Sequence, residues 1–78
     1  MKKMVVVEVL WDDSGATNGW QGSREPDAIP CKCASVGYLM KRTKKALVLA
    51  RDKDDGNEAT GAWMTIPTSC VTRVRRLR

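Results

Sequence analysis

Residues 35–51, SVGYLMKRTKKALVLAR, carry two apolar runs, 36–40 and 46–50, on either side of the basic segment Lys41-Arg42-Thr43-Lys44-Lys45. Each run is too short for a helix of ordinary length. Both are bounded by charged or turn-forming residues, which is the pattern of two paired strands. The spacing predicts the central hairpin of a small β-domain. Its connection contains no glycine or asparagine, so the usual two-residue turn signal is missing and the register is not set by the sequence. The four cations at the tip keep it solvated and discourage edge pairing with other chains.

On the N-terminal side, residues 4–11 form a first strand, because three consecutive valines favour extended backbone. Val5, Val7, Val9 and Trp11 alternate onto one face, and Met4, Val6, Glu8 and Leu10 onto the other. Residues 12–26 are a loop rich in Gly, Asn, Ser and Pro, each a turn former for its own backbone reason. Trp20 stands in its middle. It either packs the loop onto the core, as the burial tendency of tryptophan favours, or is an exposed contact residue. A second strand covers 29–34, with Cys31 and Cys33 on one face, and Gly37 offers a bend or bulge into the next strand.

On the C-terminal side, residues 52–61, DKDDGNEATG, read as a polar loop. They lack the ligand spacing and flanking helices of a calcium-binding hand. A strand over 62–66 carries Trp63 and stops at Pro67. Residues 68–70 form a single tight helical turn. The last strand, 71–77, places Val71, Arg73, Arg75 and Leu77 on one face and Thr72, Val74 and Arg76 on the other. Five or six short strands and no real helix predict an all-β fold. The expectation is a small, strongly bent sheet closed into a barrel, which removes exposed edges.

A chain of 78 residues has room for one core, so the whole of 1–78 reads as a single domain without a deep interdomain cleft. The net charge of +5 favours acidic partners or nucleic acid. Four arginines crowd into the final VTRVRRLR, while acidic residues gather near 12–13 and in 51–58. No apolar run is long enough for a membrane-spanning helix. The opening MKKMVVVEVLW is broken by Glu8 before a signal peptide could form, so it reads as the first strand of a cytoplasmic protein. Three cysteines, an odd number, fit free buried thiols in a reducing compartment better than a disulfide scaffold.

Catalytic patterns are lacking. There is no histidine, which removes the commonest general base and the usual triads. Asp12 and Asp13 are adjacent at a strand end and point apart, as solvated carboxylates do. Cys31, Cys33 and Cys70 fall short of a four-ligand zinc site, and their C-x-C spacing is tighter than such sites use. The expectation is a protein that is not an enzyme and holds no cofactor or metal. Two surfaces remain for binding. One is basic: Lys41, Arg42, Lys44 and Lys45 at the hairpin tip with Arg73, Arg75 and Arg76 near the C-terminus. The other is the loop pair 12–26 and 52–61, with Trp20 as anchor, since contact energy concentrates in Trp, Tyr and Arg. Small basic barrels also bind nucleic acid through such cations when aromatics are interleaved with them, but aromatics are few here.

The run Ile66-Pro67-Thr68-Ser69-Cys70-Val71 resembles the end of an SH3-type barrel, where an apolar residue and a proline lead into one helical turn and a valine opens the last strand. In that resemblance the loop after the first strand corresponds to the SH3 RT loop. Cys70 replaces the tyrosine of peptide-binding members and their paired tryptophans are missing, so binding of proline-rich ligands is not carried over. The wider pattern is similar to short bacteriophage and prophage proteins. It comprises Val5, Val7, Trp11, Asp12, Gly19, Trp20, residues 35–39 and 47–50, Ile66, Pro67, Val71, Val74 and Leu77. This second resemblance implies a non-enzymatic protein that docks on a host protein or ribonucleoprotein complex, including defence complexes such as CRISPR effectors, as an inhibitor. Direct nucleic-acid binding is the alternative.

Overall fold

The computed structural model describes residues 4–14, 20, 22–23, 25 and 28–78. It is all-β. Five antiparallel strands, β1 (Val6–Asp13), β2 (Cys31–Arg42), β3 (Ala46–Asp54), β4 (Ala59–Pro67) and β5 (Val71–Arg76), form one sheet in the order β4-β3-β2-β1-β5. A single 3₁₀ turn, Thr68–Cys70, precedes β5. The order of elements follows the expectation: a long connection after β1, a central hairpin, one helical turn and a last strand, which lies beside the first. No described helix is long and apolar enough to cross a membrane.

One sheet has no second layer to cover its apolar face, so it must curl over that face itself. Val7, Val9, Leu47, Leu49 and Ile66 are buried together, with Val5, Trp11, Leu39, Cys70, Val71 and Val74 packed against them. The β1 alternation is as predicted: Val7 and Val9 point inward, flanked by Val5 and Trp11. The curl does not close by strand pairing. β4 and β5 remain as sheet edges, and the helical turn connects them.

The strands expected at 29–34 and 36–40 are one strand. β2 runs unbroken through Gly37, and its irregularity comes later, between Leu39 and Lys41 in the pairing with β3. A side chain at Gly37 would lie 2.8 Å from the Ala50 carbonyl oxygen and 3.2 Å from Leu49 Cβ. This glycine therefore permits close approach of β3 rather than a break in β2.

The expected polar loop 52–61 is also mostly strand. Asp52 pairs with Gly61, Lys53 with Thr60 and Asp54 with Ala59, so only residues 55–58 turn. The Asp54 carboxylate accepts the Gly56 N–H at 3.1 Å and the Asn57 side-chain amide at 2.7 Å, and those bonds define the turn. In β5 the predicted alternation holds for Arg73, Val74, Arg75 and Arg76 and breaks at Val71. A register shift between Leu10 and Trp11 sets Val74 opposite Val9 and Val71 opposite Trp11, so both valines pack on the core.

The thiols are free but not uniformly buried. Cys31 is exposed, while Cys33 and Cys70 are partly covered. Cys31 opens β2 opposite Asp13, beyond the reach of the core.

Candidate binding surface

The tip of the β2–β3 hairpin turns without glycine or asparagine because Thr43 does the work. Its hydroxyl accepts the N–H groups of Lys45 and Ala46 at 3.2 and 3.1 Å, and its own N–H donates to the Ala46 carbonyl at 2.8 Å. Side-chain hydroxyls offer the backbone this alternative to glycine. Thr68 ties the tip down, its N–H donating to the Lys45 carbonyl at 2.9 Å and its hydroxyl to the Thr43 carbonyl at 3.3 Å. Lys41, Arg42, Lys44 and Lys45 are all exposed and form no ion pair with another described residue.

Arg73 and Arg75 lie on the outer face of β5, opposite Leu10 and Glu8, and Arg76 lies opposite the inward-facing Val7. This agrees with the alternation read for the arginines. Arg75 is committed to an ion pair with Glu8 at 3.2 Å. β1 separates β5 from β2, so the tip cations and the C-terminal arginines sit on different strand pairs. Trp20 is fully exposed, which settles its two readings in favour of the uncovered one.

The outer face gathers further residues that sequence reasoning did not single out. Directly opposed residues of antiparallel neighbours share a face. The chain of partners Val6, Tyr38, Ala50 and Trp63 therefore runs across four strands on the side away from the core. Trp63 is 65% exposed, while Ala50 between the two aromatic positions has no exposure. Beside this row lies a shallow groove of about 480 Å³ lined by Val6, Val36, Gly37, Tyr38, Arg51, Leu77 and Arg78. Val36 and Leu77, 57% and 44% exposed, give it an apolar floor. The Lys53 ammonium stands 5.2 Å from the centre of the Tyr38 ring, within the range where a cation is attracted to an aromatic face. No protein-family model, curated protein or solved structure matches the chain.

Backbone strain helps place Trp63. Ala62 has a φ of 57°, in the left-handed region that a side chain disfavours. In a regular strand Thr60 and Trp63, three residues apart, would point to opposite faces. With Ala62 in that conformation, the Trp63 indole N–H donates to the Thr60 hydroxyl at 2.8 Å. The surface thus combines an aromatic row, exposed aliphatic groups and the cations Arg51, Lys53, Arg75 and Arg78. Arg51 and Lys53 have acidic neighbours, Asp52 at 3.0 Å and Asp55 at 3.7 Å, but these pairs are solvent-exposed and worth little.

The alternation of Val36 and Tyr38 on one strand face was a usable signal for part of this site. The approach of Leu77, Arg78 and Arg51 depends on pairing registers that local sequence does not encode.

Proposed function

We propose that this chain is a non-enzymatic binding protein whose outer sheet face docks on an acidic surface of a macromolecular complex in a bacterial host. The observation that carries the reading is the groove in which Val36, Tyr38 and Leu77 are edged by Arg51 and Arg78. An apolar floor supplies contact area, and guanidinium groups supply bidentate recognition of carboxylates or phosphates. The similarity to short phage proteins supports a host defence ribonucleoprotein, such as a CRISPR effector, as the target and inhibition as the outcome.

Nucleic acid alone is the second reading, and Lys53 over the Tyr38 ring with Trp63 in the same row favours it. Bases stack on such rings while cations follow the backbone, with steep salt dependence.

The test is capture from bacterial lysate with wild-type protein and with an Arg51→Glu/Arg78→Glu variant that keeps the wild-type circular dichroism spectrum. Docking on a protein complex predicts a nuclease-resistant partner that the variant loses. Recovery of nucleic acid alone, again lost by the variant, replaces it with the second reading. Equal capture by both proteins, or none, removes the groove as the binding site.

A further inference from the structure

Cys31 and Cys33 are separated by one residue on β2, so their side chains emerge on the same side of the strand. Their sulfurs are 4.0 Å apart, with the Cys33 thiol donating toward Cys31 Sγ. Cys31 is exposed, and Cys33 is partly covered beside Trp11. Cys70 packs against the core next to Val71, across β1 from this pair. We propose that Cys31 and Cys33 form a reactive dithiol that low-molecular-weight disulfides, such as oxidised glutathione, convert to an intrastrand disulfide.

The geometry carries this in two ways. A strand advances about 3.3–3.4 Å per residue, which puts alternate Cα atoms about 6.6–6.8 Å apart. That is the upper end of the ~4.4–6.8 Å range that disulfides span, so the bond can close by side-chain rotation and small backbone adjustment. Closure at the limit of the range is strained, and strained, exposed disulfides are the readily reduced kind. The pair is suited to reversible chemistry rather than to bracing the fold.

The two thiols also differ. Burial, then the hydrogen bond and proximity to Cys31, then the carboxylates of Asp13 and Asp12, push the Cys33 thiol up. Cys33 therefore holds its proton more tightly, and Cys31, the exposed sulfur of the pair, is the one that a small disulfide reaches first. The Cys31 thiolate attacks one sulfur of the small disulfide. That S–S bond breaks, and one small thiolate leaves and takes a proton from water. Cys33 then gives its proton to solvent and attacks the Cys31 sulfur, expelling the second small thiolate. The small disulfide is reduced to two thiols, and the protein dithiol is oxidised.

The sequence makes the product easy to read, because trypsin cuts after Lys32, between the two cysteines. Protein treated with oxidised glutathione is acid-quenched, alkylated and digested. Closure predicts fragments 25–32 and 33–41 that separate only on reduction, or an uncut 25–41 lighter by two hydrogens. The Cys70 fragment, 54–73, stays alkylated. Cys33→Ser is expected to stop at a glutathione adduct on Cys31, and Cys31→Ser to remain unmodified at the same dose. The proposal is overturned if wild-type protein keeps a stable glutathione adduct without closure. It is equally overturned by disulfide-linked dimers, by Cys70 in the bond, or by a Cys33→Ser protein that gains no adduct.

Discussion

Gly37 shows how much can rest on one absent side chain. It sits inside β2 with the Ala50 carbonyl where a Cβ would be. Gly37→Ala must move backbone, not a flexible side chain, and overpacking of this kind costs about 1–3 kcal/mol. A urea titration is expected to show a lowered midpoint with an unchanged slope. Trp11 gives a milder case. Its indole N–H donates to the Ser35 hydroxyl at 3.0 Å across the β1–β2 pair. Ser35→Ala leaves that donor unpartnered in a half-buried place, a loss of about 1 kcal/mol, measurable in the same titration. Both residues were partly legible in the sequence. The period of two places Trp11 with the core valines, and glycine in an apolar run announces something unusual. What it announces could not be read, because a bend and a close approach call for the same residue.

Among the elements, the β3–β4 hairpin departs furthest from its sequence. Residues 52–61 offer no apolar alternation, because the core covers neither face there; the pairing is held by backbone bonds and by the turn. Hydrogen bonds from the Asn57 side chain, then from the Asn57 and Gly56 backbone, hold the Asp54 carboxyl below the usual carboxylate range. A folded-state pKa below the unfolded one means that this contribution is complete above the ordinary carboxylate pKa of about 3.9. It is lost as pH falls through the lower, folded value. A carboxyl titration by NMR is expected to put the Asp54 midpoint below that of an unstructured aspartate, and Asn57→Ala to bring it back up. β5 departs from its expected alternation only at Val71, and for a different reason. Its bulge opposite Leu10 and Trp11 lets two valines three positions apart share the core, and no local rule reveals a bulge whose partner strand lies some sixty residues away.

At the scale of the molecule, every strand contributes to one curled core, and Ile66, fully buried, brings in the edge strand β4. Ile66→Ala is expected to cost about 2–5 kcal/mol, a large share of what so small a domain holds in reserve. Thermal melts should show one transition, strongly lowered. The candidate surface obeys the same logic of assembly. Exposed cations at the hairpin tip were legible because charge is a local property; the exposure of Trp20 was not, since the burial tendency of tryptophan favours packing it onto the core. The groove was not, since Tyr38 on β2, Arg51 on β3 and Leu77 just past the end of β5 meet only through the pairing of the strands. For the proposed docking face, raising salt should progressively weaken capture by wild-type protein, because screening acts on Arg51 and Arg78; capture that is indifferent to salt would count against it.

The position of β1 has a consequence for synthesis. One side of it is filled by β2, but the other is filled by β5, with Val7 opposite Arg76. At about 5–20 residues per second, β1 waits several seconds after leaving the ribosome before its second neighbour exists. During that time one edge of a valine-rich strand is open to any extended chain nearby. Glu8 within β1 and the cationic tip of the β2–β3 hairpin are then the nascent sheet's protection against pairing with another chain.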